Sequence, residues 1–73
     1  MAANSIKALK DACNKKLDTM ECRCVTIKGV KNLSRSDVET ALLYAEYAET
    51  GRLHELMQPR GSIADLLKAY GII

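Results

Sequence analysis

The chain has 73 residues, of which 48% are hydrophobic and 27% charged, with a formal net charge of +2. This composition predicts one small folded domain spanning residues 1–73, and it argues against disorder as the default state. The sequence contains neither an apolar run of the roughly 20 residues that a membrane span needs nor a hydrophobic signal core. Its three cysteines do not form a framework of pairs. We therefore expect a soluble cytoplasmic protein.

The charge is unevenly distributed along the chain. Residues 1–36 hold eight Lys/Arg against three Asp/Glu, which gives +5, whereas residues 37–73 hold three against six, which gives −3. Such asymmetry raises the question of nucleic-acid binding or of head-to-tail association between copies.

The first half of the chain predicts a helix followed by a hairpin. Residues 4–18 have helical periodicity, with Asn4 or Ser5 as the cap. A strand is predicted from Glu21 to Ile27 because it is rich in β-branched residues, and residues 30–33 can return as a short second strand. Lys28-Gly29 fits the tight turn between them. The apolar face predicted for the first helix consists of Ile6, Leu9, Cys13, Leu17 and Met20.

The second helix has the clearest start and end signals. Ser34 and Asp37 fit a variant of the capping box, with Ser36 and Glu39 as an alternative start two residues later. The helix is predicted to run to Thr50 and to stop at Gly51, a residue suited to a left-handed cap.

This second helix is apolar on two opposite sides. One face consists of Val38, Ala41, Leu42, Ala45 and Ala48. Leu43 and Tyr47 point the other way, with Tyr44 between the two groups, so the helix must be covered twice. The first face includes the small residues Ala41, Ala45 and Ala48, and this small-residue face favours close packing against the first helix. The other face is covered either by the last helix or by a partner.

Two shorter elements complete the prediction. Residues 52–57 form a helical turn or two, with Leu53, Leu56 and Met57 facing inward. After a break at residues 58–61, Ser62 and Asp65 cap a last amphipathic helix. Gly71 and Ile72 fit a Schellman ending. The apolar stripe of this helix is Ile63, Leu66, Leu67 and Tyr70.

Catalysis and metal binding are disfavoured by the sequence. His54 is the only histidine, and no nucleophile or phosphate loop accompanies it, so we expect a surface residue, no enzyme activity and no cofactor. Cys22 and Cys24 could chelate a soft metal with Cys13 and His54. The spacing is unlike that of zinc modules, and we favour small core residues for all three cysteines.

We therefore predict a mainly helical α+β domain: helix, short β-hairpin, long helix, short helical turn and C-terminal amphipathic helix. The predicted function is a non-catalytic protein-interaction module (adaptor, assembly or inhibitory protein) that binds a partner or its own copies as a homo-oligomer. The predicted interface residues are Leu43, Tyr44, Tyr47, Glu39 and Glu46.

The alternative is a small nucleic-acid-binding regulator that uses a basic turn. Three or four cations around one turn can contact a phosphate backbone. These residues are Lys28, Lys31 and Arg35, with Arg23 nearby. A helix-turn-helix is disfavoured because the second helix is apolar where a recognition helix is polar.

Overall fold

A computed structural model describes residues 3–19, 21 and 23–73. The elements are α1 (Ala3–Thr19), β1 (Cys24–Ile27), β2 (Val30–Ser34), α2 (Arg35–Glu49), a 3-10 turn (Leu53–Glu55) and α3 (Gly61–Ala69). The predicted mainly helical α+β class is confirmed. Met20 and Cys22 lie outside the described residues. No helix in the described part of the chain is long and apolar enough to cross a membrane.

Helix α1 presents its apolar stripe to the core. Ile6, Leu9 and Cys13 are buried as the periodicity predicted. The helix begins at Ala3, so Asn4 and Ser5 lie inside it, and the prediction that one of them caps it is wrong. Helical conformation starts two residues earlier than a cap at Asn4 requires and three residues earlier than a cap at Ser5 requires.

The hairpin is tight and twisted. Lys28 and Gly29 have φ values of 48° and 82°, which make the two-residue turn a type I′ turn. Strand β1 is shorter than predicted, because pairing begins only at Cys24, which faces Ser34. Between the Val25–Leu33 and Ile27–Val30 pairs, β2 has one residue more than β1. This bulge increases the local twist of the ribbon.

Helix α2 begins with the predicted capping box. The Asp37 amide donates to Ser34 Oγ at 3.1 Å, and the Ser34 amide donates to Asp37 Oδ2 at 3.0 Å. The alternative start at Ser36 is therefore wrong, because helical conformation already begins at Arg35.

The small-residue face of α2 packs against α1, as predicted. Ala41 and Ala45 are fully buried, and the α1–α2 contact is the most extensive between any two elements described. Side chains without bulk beyond Cβ let the two backbones approach closely. An ion pair between Lys10 Nζ and Glu49 Oε1, 3.2 Å long, links the same two helices at the surface.

The chain reverses sharply after α2. Gly51 has a φ of 72°, its amide donates to the Ala48 carbonyl, and the Arg52 amide donates to the Tyr47 carbonyl at 2.8 Å. These two bonds form a Schellman motif. The following segment turns back along α2, and Leu53 and Leu56 pack against the core as predicted.

The two ends of helix α3 are capped differently. Its N-cap is Arg60, which makes no side-chain capping bond. The predicted Ser62 cap is wrong, because α3 spans Gly61–Ala69 and Ser62 already lies in its first turn. The predicted Schellman ending is confirmed, since the Ile72 amide donates to the Leu67 carbonyl at 2.9 Å.

Candidate protein-interaction surface

The second apolar face of α2 is covered mainly by the segment that follows the helix. Tyr44 is only 8% exposed, and its hydroxyl donates to the Met57 carbonyl at 2.6 Å. The Arg52 guanidinium lies 5.1 Å from the centroid of the half-buried Tyr47 ring. Leu43 remains 42% exposed. The face is therefore covered over Tyr44, partly covered over Tyr47 and open at Leu43.

Helix α3 fills the core rather than covering Leu43. Leu66 and Leu67 are completely buried, and Ile63 and Tyr70 pack against the same core at its edge. Besides α2, α3 packs on β2. The stripe on α3 is thus used within the chain, while Leu43 is left at the surface.

Beside this face lies an open groove of about 290 Å³, called the apolar groove below. Its lining consists of Leu53, His54, Leu56, Met57, Gln58, Pro59 and Ile73. Met57 is 82% exposed and Ile73 is 47% exposed, so large apolar side chains border solvent here. The prediction that Met57 faces inward is wrong, because its backbone carbonyl binds Tyr44 and its side chain is left at the surface.

The groove suits a side chain better than a cofactor. Small-molecule sites commonly enclose about 300–1,000 Å³ and converge several polar groups on the ligand. This groove is at the lower limit of that range, and only His54 and Gln58 contribute polar side chains to it. Among the described residues, no Lys, Arg, Asp or Glu lines it. The volume and the apolar lining of the groove match one or two apolar side chains of a protein.

Arg52 and Glu55, which flank the groove residues Leu53 and His54 in sequence, form an ion pair without net charge. Arg52 donates to both carboxylate oxygens of Glu55 at 2.8 and 2.9 Å. These hydrogen bonds hold the pKa of the Glu55 carboxyl below its usual range and keep Arg52 positioned over Tyr47.

The predicted interface residues on α2 fall into different environments. Leu43, Glu39 and Glu46 are exposed, whereas Tyr44 stabilises the fold. Glu39 forms a 3.4 Å ion pair with Arg35. Whether the exposed members bind a partner stays a prediction.

The predicted basic residues are all at the surface. Arg23, Lys28, Lys31 and Arg35 are exposed, and all four belong to the hairpin or to the residues flanking it. Lys28 Nζ lies 4.6 Å from the centroid of the Tyr70 ring, which joins the turn to the end of α3.

Cys13, Cys24 and His54 lie on three different elements of the fold. Cys13 is buried, and burial raises the pKa of its thiol to about 11, so the nucleophilic thiolate is suppressed at neutral pH. Cys24 is exposed on β1, so its predicted place in the core is wrong: its side of the strand faces away from the packed elements. Within the described residues, no three His, Cys, Asp or Glu side chains group as a metal site would require.

Comparisons with known proteins do not indicate a function for this chain. No protein-family model matches the chain, and searches of curated proteins and of solved structures likewise give no significant match.

Sequence reasoning missed the apolar groove. Its lining combines the segment around Pro59 with Ile73, two regions that only the tertiary fold brings together. The one available signal was Met57 directly before the break at Gln58-Pro59, because a residue at the end of a helical turn need not be covered.

Proposed function

We propose that the protein is a non-catalytic protein-interaction module that docks through its apolar groove onto a second copy of the chain. The observation that carries this proposal is Met57, which is 82% exposed at the lining of an open apolar concavity. Removing a Met side chain fully from water is worth about 1.5–3 kcal/mol. As part of the same proposal, we place the module in the cytoplasm.

The groove fits a two-fold symmetric pairing. In such a dimer the same surface of each chain faces its counterpart, so the surface must hold both a projection and a cavity. The apolar groove offers Met57 as the projection and its own concavity as the cavity. Because none of the described lining residues is Lys, Arg, Asp or Glu, two copies that face each other through the groove bring no like charges together at its centre.

The groove alone is too small for a stable dimer, so the interface must include surface residues next to the groove. A stable interface buries about 800 Å² per partner, roughly one sixth of the 4762 Å² that this chain exposes. Leu43 adjoins Tyr44, the residue that binds the Met57 carbonyl, and it is exposed. We therefore include Leu43 at the edge of the interface.

Head-to-tail docking is the weaker arrangement. It would join the basic turn of one copy to the acidic edge of α2 in the next, which consists of Glu39, Glu46 and Glu49. An exposed ion pair contributes only about 0–1 kcal/mol. Glu39 and Glu49 already pair within the chain, with Arg35 and Lys10 respectively. Burial of Met57 is worth more than exchanging one surface ion pair for another.

A dilution series followed by amide NMR tests the proposed dimer. Between millimolar and low micromolar concentration, we expect shift changes concentrated at residues 53–58 and Ile73. Met57→Glu places a charge in the groove and should remove these changes. Ala8→Glu adds the same charge at an exposed position of α1 and should leave them in place.

Two results would overturn the proposal. Spectra that do not change at any concentration would show that the groove does not bind a second copy. Changes concentrated at the hairpin and at Glu39 and Glu46 would instead identify head-to-tail docking. Thermal unfolding of both variants confirms that neither has lost the fold.

A further inference from the structure

The hairpin and the start of α2 form the most basic segment of the chain. Residues 23–36 contain four cations and no Asp or Glu. In the antiparallel register, Arg23 and Arg35 adjoin the Cys24–Ser34 pair at the open end, and Lys28 and Lys31 lie at the turn end. Positive charge is therefore present at both ends of a two-stranded ribbon.

One face of this ribbon is packed and the other is open. Ile27 and Leu33 are buried in the core. Thr26, Lys31 and Asn32 are exposed. The bulge places Lys31 and Asn32 opposite Thr26, and Asn32 has a φ of 60°, in the left-handed region that Asn tolerates better than most residues. The open face thus combines a cation with an amide and a hydroxyl group.

The turn is held on the body of the protein. Lys28 contacts the Tyr70 ring, so the hairpin tip is attached to the end of α3 without losing its charge. A ribbon fixed at its tip loses little conformational freedom when it binds, which favours affinity.

The neighbouring acidic groups do not cancel this surface. The Asp37 carboxylate accepts the Ser34 amide in the capping box and is half-buried. Glu39 pairs with Arg35, but both side chains are more than half exposed, at 58% and 60%. Such a pair is worth about 0–1 kcal/mol, so a phosphate can replace the carboxylate at little cost.

We propose that this ribbon is a docking surface for duplex DNA. The two paired strands lie about 4.8 Å apart, so the ribbon is narrow across its strands. The major groove of B-DNA is about 12 Å wide and admits a two-stranded ribbon. The four cations, Arg23, Lys28, Lys31 and Arg35, contact phosphates, and Asn32 lies toward the base edges. The deep, narrow major groove of duplex RNA does not admit these side chains.

Fluorescence anisotropy with a labelled mixed-sequence DNA duplex of about 20 base pairs, two helical turns, tests the proposal. Four phosphate contacts predict that log K falls with log salt with a slope of about −3.6, a loss of roughly 100-fold in affinity between about 50 and 200 mM salt. Lys31→Ala with Arg35→Ala should make the slope less steep by about 2.

A matched control removes the same charge from α1. Lys7→Ala with Lys15→Ala changes two exposed lysines outside the ribbon and should leave the slope nearly unchanged. An equal loss in both double variants, or equal affinity for duplex RNA, would show generic attraction to polyanions and overturn the proposal. Absence of binding at low salt would overturn it as well.

Discussion

The hydroxyl group of Tyr44 donates a 2.6 Å hydrogen bond to the backbone carbonyl of Met57, thirteen residues further along the chain. This bond fastens the segment after α2 to the helix. The Tyr44 ring is buried, whereas the Met57 side chain lies at the surface. The apolar groove therefore depends on a core residue that is not part of its lining.

Tyr44→Phe should loosen this segment without creating a cavity. The ring stays packed and one hydrogen bond is lost, so we expect the free energy of unfolding to fall by about 0.5–1.5 kcal/mol. Amide hydrogen exchange at Glu55 and Leu56 should accelerate. Tyr47→Phe is the control, because it keeps the ring beneath Arg52. Equal effects of the two substitutions would contradict the role assigned to Tyr44.

The two serines predicted as caps should differ in their contribution to stability. Ser34→Ala removes a capping bond to the Asp37 amide and should lower the free energy of unfolding by about 1 kcal/mol. Ser62 lies in the first turn of α3 and does not cap it, so Ser62→Ala should change stability much less. Chemical denaturation of both variants measures the difference. A larger loss for Ser62→Ala would contradict the assigned start of α3.

Cys13 should make the fold sensitive to alkaline pH. Its pKa is raised by burial from 9.0 to about 11, so the folded state keeps the proton that the unfolded state releases. The stability from this difference is complete below pH 9 and is lost as pH rises toward 11, by about 1 kcal/mol per pH unit between the two pKa values. Denaturation curves across this range should show the loss.

Cys13→Ala supplies the control for the alkaline effect. The variant is less stable at every pH because it leaves a cavity. Its stability should nevertheless fall less steeply above pH 9 than that of the unchanged chain. Parallel curves would show that other groups cause the alkaline loss.

Truncation of a core leucine should cost far more stability than truncation of a surface leucine. Leu66 is completely buried, and Leu66→Ala should lower the free energy of unfolding by about 2–5 kcal/mol. Leu43 is 42% exposed, so Leu43→Ala should cost much less. Leu66→Val makes a smaller cavity and serves if the alanine variant does not fold. A large loss for Leu43→Ala would show that α3 or another element covers it.

The sequence predicted those parts of the fold that local chemistry determines. The Ser34–Asp37 box, the Lys28-Gly29 turn and the glycine-terminated helix ends each depend on a few neighbouring residues, and each is present. Periodicity likewise identified the buried face of α1, because a stripe of apolar residues at steps of three and four has to face the core.

The site was harder to predict because it depends on tertiary contacts. A helical-wheel projection of the sequence places Tyr44 between the two apolar faces of α2 and does not show whether it is buried. Its burial follows from the Schellman turn at Gly51, which brings residues 53–57 back along the helix. The same turn leaves Met57 exposed. No local pattern states which of two neighbouring apolar residues a returning segment will cover.

Sedimentation equilibrium of the unchanged chain and of Met57→Glu, at low and high salt, tests docking through the apolar groove most directly. We predict a dimer of the unchanged chain whose dissociation constant changes little with salt, and at least tenfold weaker association of Met57→Glu, a loss of about 1.4 kcal/mol or more. A chain that is monomeric up to millimolar concentration would contradict the proposal. So would a dimer that high salt dissolves and Met57→Glu leaves intact.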